Sequence, residues 1–292
     1  MVYTYRSSQS YVRYFYHFYF ESGGVYNMES GISIIIHTRN EEKQIRECIS
    51  SAKFLSDRLI IIDMESTDKT REIAKQSGAE VFSFPHLSYV EPAREFGINQ
   101  AKTPWVFILD ADERLTEELA LEIKEIIRDK SAFTYFKVPR KNIFARLKWL
   151  KHGGWSPDYQ IRFIDKSHFK KWPKEIHSTP IIGGQLGYLK HSLIHYFHGD
   201  LESMVQKTII FENIESDLLF KAGKPVSTLT FFRKFWGELY RRLVRNLGFL
   251  DGGIGIIEAV YQAFSKTITY LFLYEKKRKD LPAGRQEKSS SV

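Results

Sequence analysis

Apolar runs and amphipathic segments alternate along residues 32–128. Four short runs rich in apolar, β-branched or aromatic residues predict strands buried in a sheet, and each is followed by a segment with helical spacing of apolar residues. The predicted strands are residues 32–36, 59–62, 80–84 and 105–109, and the predicted helices are residues 42–54, 71–77, 92–100 and 117–128. Four alternations within roughly 100 residues favour parallel βαβ units, and hence an α/β fold.

Aspartates follow two of the predicted strands. Asp63 ends the second strand, and Asp110 and Asp112 follow the fourth within W-V-F-I-L-D-A-D-E-R. Because the ligand sites of open α/β sheets lie at the carboxyl ends of the strands, these side chains should meet at one edge. Paired carboxylates suit a hard divalent cation that also binds a substrate phosphate, although aspartates after a strand also serve as turn or capping residues.

Charge and cysteine content narrow the function classes. The 292 residues include 43 Lys and Arg against 35 Asp and Glu, and the net charge of +8 favours anionic partners or simply forms a solvated basic surface. The single cysteine, Cys48, excludes an internal disulfide and cysteine-based zinc clusters. The sequence has no G-x-G-x-x-G after the first strand and no G-x-x-x-x-G-K-[ST], which argues against a dinucleotide-binding fold and a P-loop NTPase.

The sequence of the C-terminal third predicts two helices that are rich in basic and aromatic residues. Residues 229–247 place aromatic and aliphatic side chains on one helical face and arginines and lysines on the rest. Residues 254–274 are long enough to span a membrane, but Glu258, Gln262 and Lys266 form a polar line that favours an interfacial or packed helix. We expect these helices either to lie on a membrane surface or to pack on the rest of the protein.

The two ends of the chain are predicted to lie outside the folded part. Residues 1–29 are rich in tyrosine and phenylalanine, show no clean periodicity and lack the aliphatic core of a signal peptide, so we expect a disordered extension. Residues 276–279 form a basic cluster suited to anionic lipid. Residues 281–292 are polar and are also expected to be disordered.

Five sequence blocks, taken in order, resemble a known family. The first four are I-S-I-I-I-H-T-R-N-E-E, I-I-I-D-M-E-S-T-D-K-T, A-R-E-F-G-I-N-Q-A and F-I-L-D-A-D-E-R, and they resemble family 2 glycosyltransferases of the GT-A fold. The fifth, H-G-G-W-S-P-D-Y-Q-I-R-F, resembles lipopolysaccharide core enzymes of the beta-glucosyltransferase type. The resemblance implies a GT-A type, Rossmann-like, mostly parallel sheet flanked by helices over residues 30–200, followed by an amphipathic helical appendage over residues 201–280.

The resemblance also implies a chemistry. A nucleotide-sugar donor, expected to be a UDP-sugar, would transfer its sugar with inversion to a glycan or lipid-linked acceptor, with Mg²⁺ or Mn²⁺ as the cofactor. Such an enzyme would serve envelope polysaccharide or lipopolysaccharide synthesis in the cytoplasm, peripherally at the inner face of the cytoplasmic membrane. Carried over by position, the donor-binding residues are Thr38, Asn40, Glu41, Asp63, Arg94 and Asp110, and the metal ligands are Asp112 and Asp110. No nucleic-acid partner is expected, and the oligomeric state is left open.

An inverting displacement also needs a base on the acceptor side. The resemblance assigns this role to Asp158, and the alternative is that Asp158 caps the chain or pairs with Arg162. The other acceptor-side or supporting candidates are Trp155, Gln160, Arg162 and His177. The rings of Trp155 and Tyr159 are suited to stacking on a sugar or to burial in a core. One departure is Ser178, where many relatives carry a glutamate, and it puts part of the carry-over in doubt.

Two other functions are open at this point. A phosphohydrolase could use one aspartate of D-x-D as its nucleophile, although Arg114 and Leu115 follow where that chemistry expects a threonine or valine. A basic membrane-binding or nucleic-acid-binding protein without catalysis would account for the C-terminal helices. The presence of aspartates at the strand ends and of Asp158 argues against a protein without catalysis.

Overall fold

The computed structural model describes residues 31–87, 89–197 and 201–280, with side chains from residue 204 onward in the last segment. The predictions for residues 1–29 and 281–292 lie outside this part. Its strands, labelled β1 to β12, are Ile32–Thr38, Leu59–Asp63, Glu80–Ser83, Trp105–Asp110, Glu113–Arg114, Tyr135–Phe144, Lys148–Trp149, Tyr159–Asp165, Phe169–Lys171, Ile181–Ile182, Leu186–Tyr188 and Leu193–Phe197. Its helices, labelled α1 to α7, are Ile45–Ala52, Thr70–Gln76, Glu91–Gln100, Glu117–Arg128, Leu201–Lys221, Thr228–Tyr240 and Gly252–Lys279.

Four parallel strands form the half of the sheet that ends in the predicted aspartates. Their order is β3-β2-β1-β4, so β1 lies between β2 and β4. Thr38 pairs with Asp63 on one side of β1, and His37 pairs with Asp110 on the other. The carboxyl ends of β1, β2 and β4 therefore meet at one edge, and the predicted juxtaposition of the aspartates is confirmed.

The sheet continues from β4 into strands that run in both directions. β8 pairs antiparallel with β4 and β6, and β12 runs parallel to β6. The pairing of β6 with β12 brings Asn142 opposite His195. The short β5, which follows D-x-D directly, pairs antiparallel with β12 and places Glu113 beside the same histidine. This half thus gathers residues that are far apart in the chain.

Apolar side chains cover both faces of the sheet. Ile34 and Ile36 of β1 belong to the core that contains α1 and α4, whereas Ile35 belongs to the core on the other face, with Trp172. All of β1 is buried, which explains its unbroken apolar run. α4 begins after Thr116, whose hydroxyl accepts a hydrogen bond from the backbone of the helix, as is typical of a threonine N-cap. The mixed α/β fold is therefore confirmed.

The predicted elements are present, with differences at their ends. α1 begins at Ile45 rather than at residue 42, because residues 42–44 form a turn in which the backbone N–H of Glu42 donates to Asp68 at 3.1 Å. β1 and β4 extend to Thr38 and Asp110, because the ladder pairing continues through these polar residues. The site residues are thus held by the sheet itself.

Helix α6 is shorter than the sequence predicts. Instead of one helix over residues 229–247, α6 ends at Tyr240 and continues as a π-helical turn, Arg241–Arg245. This turn places Arg242 beside the sheet domain, where its guanidinium donates to the carbonyl of Gly153 at 3.1 Å. The anchored turn is where the regular helix stops.

The apolar stripe of α6 divides into a packed side and an exposed side. Phe231 meets Tyr274 of α7 edge-on, with ring centroids 6.3 Å apart. Trp236 is 61 % exposed. The exposed side, continued through the π-helical turn, comprises Phe232, Trp236, Tyr240, Val244 and Leu247. Among the described residues, no helix combines the length and the apolar character needed to cross a membrane.

Candidate active site

A cleft of about 420 Å³ opens where β1 and β4 end, and we call it the edge cleft. Its lining includes Thr38, Glu41, Asp110 and Asp112 from the sheet side and Lys207 from α5. Three of the predicted donor-binding residues and the predicted metal ligand Asp112 therefore share one cavity. Lys207 was not predicted, because nothing in the local sequence of α5 shows that the helix covers this edge.

The turn after β1 is tied to the turn after β2. Asn40 has a left-handed backbone, with φ of 53°, which asparagine tolerates. Its side-chain oxygen accepts from the N–H of Thr67 at 2.8 Å, and its own N–H donates to Ser66 Oγ at 2.9 Å. Asn40 therefore joins the two turns and is not part of the cleft lining. Burial raises the pKa of Glu41, which lies in the cleft 3.7 Å from the opposing Lys207 ammonium.

Asp63 is fully buried at the sheet edge. Its Oδ2 accepts from the N–H of Ser66 at 3.2 Å and lies 3.6 Å from Arg71 Nε. Among the described residues, its Oδ1 and the hydroxyl of Thr38 have no hydrogen-bond partner. Because buried polar atoms are normally paired, these two atoms suit a ligand that supplies hydrogen bonds.

Asp110 is clamped by two arginines. Arg94 Nη1 lies 2.9 Å from Asp110 Oδ1, and Arg162 Nη2 donates to Oδ2 at 2.6 Å. Burial raises the pKa of Asp110, but Arg162 and then Arg94 outweigh this and hold the pKa well below its usual range. Both carboxylate oxygens are thus bonded to guanidinium groups, which leaves Asp112 as the better metal ligand of the pair.

Glu113 is a second buried carboxylate that the sequence did not single out. It accepts from Arg162 Nη2 at 2.6 Å and from Arg140 Nη1 at 3.2 Å. It also accepts from the backbone N–H of Asp110 at 2.9 Å, which fixes the turn that carries D-x-D. Glu113 therefore links the aspartates after β4 to the arginines of β6 and β8. In the sequence, only its position directly after D-A-D could have indicated that Glu113 belongs to the site.

Asp112 faces His195, which the sequence analysis also missed. Asp112 Oδ2 lies 3.5 Å from His195 Nε2, and both side chains line the edge cleft. Burial raises the pKa of Asp112, but the interaction with His195 outweighs burial and the net pKa is lowered. A histidine that follows D-x-D by more than 80 residues can be linked to it only through the β5–β12 pairing.

Asn142 fixes the orientation of this histidine. Asn142 Nδ2 donates to Asp158 Oδ2 and to the carbonyl of Trp155, each at 3.0 Å, so its Oδ1 is the acceptor for His195 Nδ1 at 2.6 Å. The network therefore places a proton on Nδ1 and turns Nε2 toward Asp112. Asn142 is fully buried and joins two residues on opposite sides of the site.

The donor set of this pair fits the divalent cation that the resemblance implies. Within the described residues, no group of three or more His, Cys, Asp or Glu side chains is arranged to hold a metal. Mg²⁺ usually takes one or two protein ligands and completes its shell with water and substrate phosphates. Asp112 and the oriented Nε2 of His195 supply two such ligands at an open cleft. A histidine whose other nitrogen is held by a polar partner is the usual form of a metal-binding imidazole.

Asp158 pairs with Arg140 rather than with Arg162. Arg140 Nη2 lies 2.7 Å from Asp158 Oδ2, and Gln160 Nε2 donates to Oδ1 at 2.9 Å. Burial raises the pKa of Asp158, but Arg140 and then Asn142 and Gln160 outweigh it and the net pKa is lowered. The side chain remains 19 % exposed. Asp158 is therefore an ionised carboxylate that is held in place and still reaches solvent.

A second cleft, of about 460 Å³, meets the edge cleft at Asp110, and we call it the side cleft. Asp110 lines both cavities. The remaining lining of the side cleft is Glu91, Arg94, Lys137, Arg140, Tyr159, Gln160, Ile161, Arg162, Trp172, His177, Ser178, Thr179 and Pro180. Arg94, predicted near the donor, lines the side cleft and not the edge cleft, although its guanidinium contacts Asp110, which lines both.

The other acceptor-side candidates occupy different places. Gln160, Arg162 and His177 line the side cleft. Trp155 does not: its ring stacks on Phe197 with centroids 4.4 Å apart, and the guanidinium of Arg242 lies 5.5 Å from its centroid. A ring covered in this way packs a core and offers no face to a sugar.

His177 and Ser178 are held by hydrogen bonds, one to α3 and one within their own loop. His177 has a left-handed backbone, with φ of 61°, and its N–H donates to Glu91 Oε1 at 2.8 Å. The Ser178 hydroxyl donates to the carbonyl of Pro173 at 2.6 Å. The position where relatives carry glutamate therefore stabilises a loop in this chain.

Comparisons with known proteins place the sequence in a family. A family model described as "Glycosyl transferase family 2" matches residues 33–197, more than half of the chain. An uncharacterized glycosyltransferase of Rickettsia conorii is 26% identical over 85% of this chain and 91% of that protein. The lipopolysaccharide core biosynthesis glycosyltransferase LpsC of Rhizobium meliloti is 25% identical over 84% of this chain and 92% of that protein. A crystal structure of S. aureus TarS, residues 1–349, is 15% identical and covers 86% of this chain and 92% of its own, with a TM-score of 0.43.

Proposed function

The chain belongs to glycosyl transferase family 2, and we propose that it moves a sugar from a nucleotide-diphosphate donor to a glycan or lipid-linked acceptor of the cell envelope. The observation that carries this proposal is the edge cleft, where the ends of β1 and β4 bring Thr38, Asp110 and Asp112 together. The likeness to LpsC supports an acceptor of the lipopolysaccharide type. Neither the phosphohydrolase nor the non-catalytic alternative finds support in the comparisons.

The edge cleft has the groups that a nucleoside diphosphate requires. Among the described residues, the hydroxyl of Thr38, which lines the cleft, has no hydrogen-bond partner and suits a hydrogen bond to the nucleoside. The equally unpaired Oδ1 of Asp63 belongs to the residue opposite Thr38 on the neighbouring strand, which is buried and is not part of the cleft lining. Lys207 places a positive charge beside Glu41 and Asp112, where the diphosphate would lie. The donor is therefore proposed to bind along the ends of the parallel strands, with a UDP-sugar as the first candidate.

Asp112 and His195 are the residues that would hold Mg²⁺ or Mn²⁺. The bound cation would neutralise the charge that develops on the diphosphate leaving group. Asn142 keeps His195 Nε2 directed at Asp112, and Arg94 and Arg162 keep Asp110 ionised beside the same turn.

Asp158 is the proposed base on the acceptor side. The acceptor hydroxyl oxygen forms a bond to the anomeric carbon while the bond from that carbon to the diphosphate oxygen breaks, with inversion. The hydroxyl proton passes to Asp158, and the electron pair of the broken bond leaves with the nucleoside diphosphate. Asp158 Oδ1 is the better proton acceptor, because among the described residues Gln160 is its one hydrogen-bond donor, whereas Oδ2 is bonded by both Arg140 and Asn142.

A donor panel tests the proposed function. Thermal unfolding should be followed with UDP-, GDP- and ADP-sugars, each with Mg²⁺, with Mn²⁺ or with a chelator. We expect one donor class to raise the Tm only with metal, since a ligand at 100 times its Kd stabilises by about 2.7 kcal/mol. The absence of stabilisation by any donor under all three conditions would contradict the proposal.

The exposed side of α6 supports a peripheral place at a membrane. Trp236 and Tyr240 lie on this side, and the exposed Arg233, Arg241 and Arg245 stand close to them in the helix and its π-helical turn. Aromatic and basic side chains together suit the interface of an anionic bilayer. We propose that this surface holds the enzyme at the inner face of the cytoplasmic membrane, near a lipid-linked acceptor.

Vesicle flotation tests the membrane proposal. The full-length protein should float with phosphatidylglycerol-containing vesicles at low salt and less so at high salt, because the electrostatic part is screened. Trp236→Glu should lower the floated fraction, whereas Leu121→Glu, at a side chain that is also 61 % exposed but lies on α4, should not. A wild-type protein that stays at the bottom at low salt would refute the proposal.

A further inference from the structure

The side cleft has the right position for an acceptor. It shares Asp110 with the edge cleft, so a ligand in it would lie next to the donor. Arg140 and Gln160 line it, and both bind the carboxylate of Asp158. Asp158 itself is not part of the lining, but a hydroxyl group presented from this cleft would lie beside the residues that hold the proposed base.

One tyrosine lines the side cleft and a second packs against it, and both lie on strands that pair with β6. Tyr159 of β8 is 40 % exposed and lines the cleft. Tyr188 of β11 is 59 % exposed and meets Tyr159 edge-on, with ring centroids 5.5 Å apart. Single exposed aromatic residues are ordinary, but a pair beside a polar cleft combines flat apolar surface with hydrogen-bonding groups. The C–H face of a pyranose packs on such rings while its hydroxyls stay free to bond.

Most of the positive charge in the side cleft is already neutralised. Each of its three arginines pairs with a buried or half-buried acid. The pairs are Arg94–Asp110, Arg162–Asp110, Arg162–Glu113, Arg140–Glu113 and Arg140–Asp158. Bound sugar hydroxyls would therefore meet fixed polar groups with little net charge.

Lys137 is different from these arginines. In the described part of the chain, no carboxylate pairs with Lys137, and its Nζ lies 6.0 Å from the ring centroid of Tyr188. The remaining carboxylate of the cleft, Glu91, accepts the N–H of His177 and belongs to the wall formed by that loop. Among the described residues, Lys137 is therefore the one lysine or arginine of the side cleft without a carboxylate partner, and it lies beside the two tyrosines. Its ammonium group is suited to bind an anionic group of a ligand.

We propose that the side cleft is the acceptor subsite and that it binds a pyranose with an anionic substituent, either a carboxylate or a phosphate. The ring lies against Tyr159 and Tyr188, and the anionic group pairs with Lys137. The name acceptor subsite rests on the proposed function, whereas binding of the acidic sugar requires neither donor nor metal.

Saturation-transfer NMR on the full-length protein tests this subsite with defined probes. The probes are methyl glucoside, methyl glucuronoside and glucose 6-phosphate, titrated separately in the absence of a nucleotide. The two acidic probes should bind at least five-fold more tightly than methyl glucoside. The stronger of the two identifies whether a carboxylate or a phosphate is preferred.

Substitutions assign the binding to named side chains. Lys137→Met should reduce the affinity for the acidic probes to that for methyl glucoside. Tyr159→Ala and Tyr188→Ala should each weaken all three probes about ten-fold, as expected when roughly 1.4 kcal/mol is lost. Tyr159→Phe should bind like the wild type, because the ring is kept. Tyr274→Ala removes an exposed ring from α7 and serves as the control. It should leave the affinity for all three probes unchanged.

The outcomes separate this inference from the proposed function. Equal affinity of acidic and neutral probes for the wild type, or binding that survives in both tyrosine-to-alanine variants, would overturn the subsite. The donor panel is run on the same preparations. Donor binding without selective binding of acidic sugars overturns the subsite alone. Selective binding of acidic sugars without donor binding supports the sugar site and counts against glycosyl transfer.

Discussion

The two halves of the sheet build the candidate site in different ways. In the parallel half, the ends of β1, β2 and β4 supply Thr38, Asp63 and Asp110 at one edge. In the mixed half, β6 and β12 supply Asn142 and His195 from positions that are far apart in the chain. The first half forms the edge cleft from its strand ends, and the second half adds His195 to the lining and Asn142, which orients that histidine.

This difference suggests a division of work. We propose that Asp112, in the turn after the parallel half, acts on the leaving group and that Asp158, in the mixed half, acts on the acceptor. Asn142 is hydrogen-bonded to His195 and to Asp158, and Glu113 is bonded to arginines of β6 and β8. If the division is real, variants in the two halves should fail in different assays.

The largest effect is expected for Asp158→Asn, in the mixed half. Loss of a general base should lower the turnover of sugar transfer by about 10²–10⁴-fold while donor binding is kept. Steady-state transfer to an envelope extract, with labelled donor, measures the change. Asp129→Asn, at an exposed aspartate paired with Arg128, is the matched control and should retain the wild-type rate. Transfer at the wild-type rate in Asp158→Asn would remove this residue from the mechanism.

A somewhat smaller loss is expected for Asp112→Asn, in the turn after the parallel half. A single electrostatic contact to the leaving group accounts for roughly 10²–10³-fold in turnover, and the variant should also need more Mn²⁺ to reach half its maximal rate. The rate is measured against Mn²⁺ concentration. Asp57→Asn, at an exposed residue, provides the comparison. An unchanged metal dependence in Asp112→Asn would be incompatible with its role as a ligand.

Asn142 lies between the halves, so its variants sharpen the comparison. Asn142→Ala should lower metal affinity by about 10–100-fold, because His195 loses the partner that orients it. The pKa of Asp158 should rise when the Asn142 hydrogen bond is lost, so the acid limb of the kcat/KM–pH profile should move to higher pH. Asn142→Asp keeps an acceptor for His195 and should retain metal affinity while transfer falls. Identical behaviour of the two variants would argue for a purely structural role.

The smallest effect on sugar transfer is expected outside both halves, at Glu258 of α7, where the change is one of stability. Burial raises the pKa of Glu258 to about 7, above the ordinary value of 4.5. A raised pKa means that stability is fully present below pH 4.5 and is lost as the pH rises through 7. Glu258→Gln should therefore be more stable than the wild type at pH 8.5, by on the order of 2–3 kcal/mol, and should show less loss between pH 5 and pH 8.5.

Urea unfolding at pH 5 and pH 8.5 measures this difference. Glu80→Gln, at an exposed residue of β3, should leave the pH dependence unchanged. A Glu258→Gln variant with the same pH dependence as the wild type would show that this carboxyl group does not titrate as described. Transfer activity per folded molecule should be unaffected by either variant.

The parallel half could be predicted from the sequence because a buried strand shows itself in a short apolar run. Once the runs and helices alternate, the carboxyl ends must meet, and Asp63 and Asp110 follow from that rule. The mixed half could not be predicted in the same way. Arg140 and His195 sit in strands whose sequences do not show their partners, because strand pairing is set by tertiary packing. For this reason the sequence offered Arg162 as the alternative partner of Asp158, whereas in the structure the partner is Arg140.

The C-terminal helices show a similar limit. The periodicity of residues 229–247 predicts an apolar face but does not show how much of it is covered. In the structure Phe231 packs on α7, as the packing interpretation predicts, whereas Trp236 remains exposed, and binding of the exposed residues to a membrane stays a prediction. Coverage depends on the neighbouring helix, and local sequence does not contain that information.

Calorimetric titration of a UDP-sugar in the presence of Mn²⁺ tests the division of work most directly. The wild type, Asp112→Asn and Asp158→Asn are compared under the same conditions. The account predicts that Asp158→Asn binds the donor as the wild type does, whereas Asp112→Asn loses the Mn²⁺-dependent part of the affinity. Equal loss of donor binding in the two variants, or unchanged binding in Asp112→Asn, would contradict it.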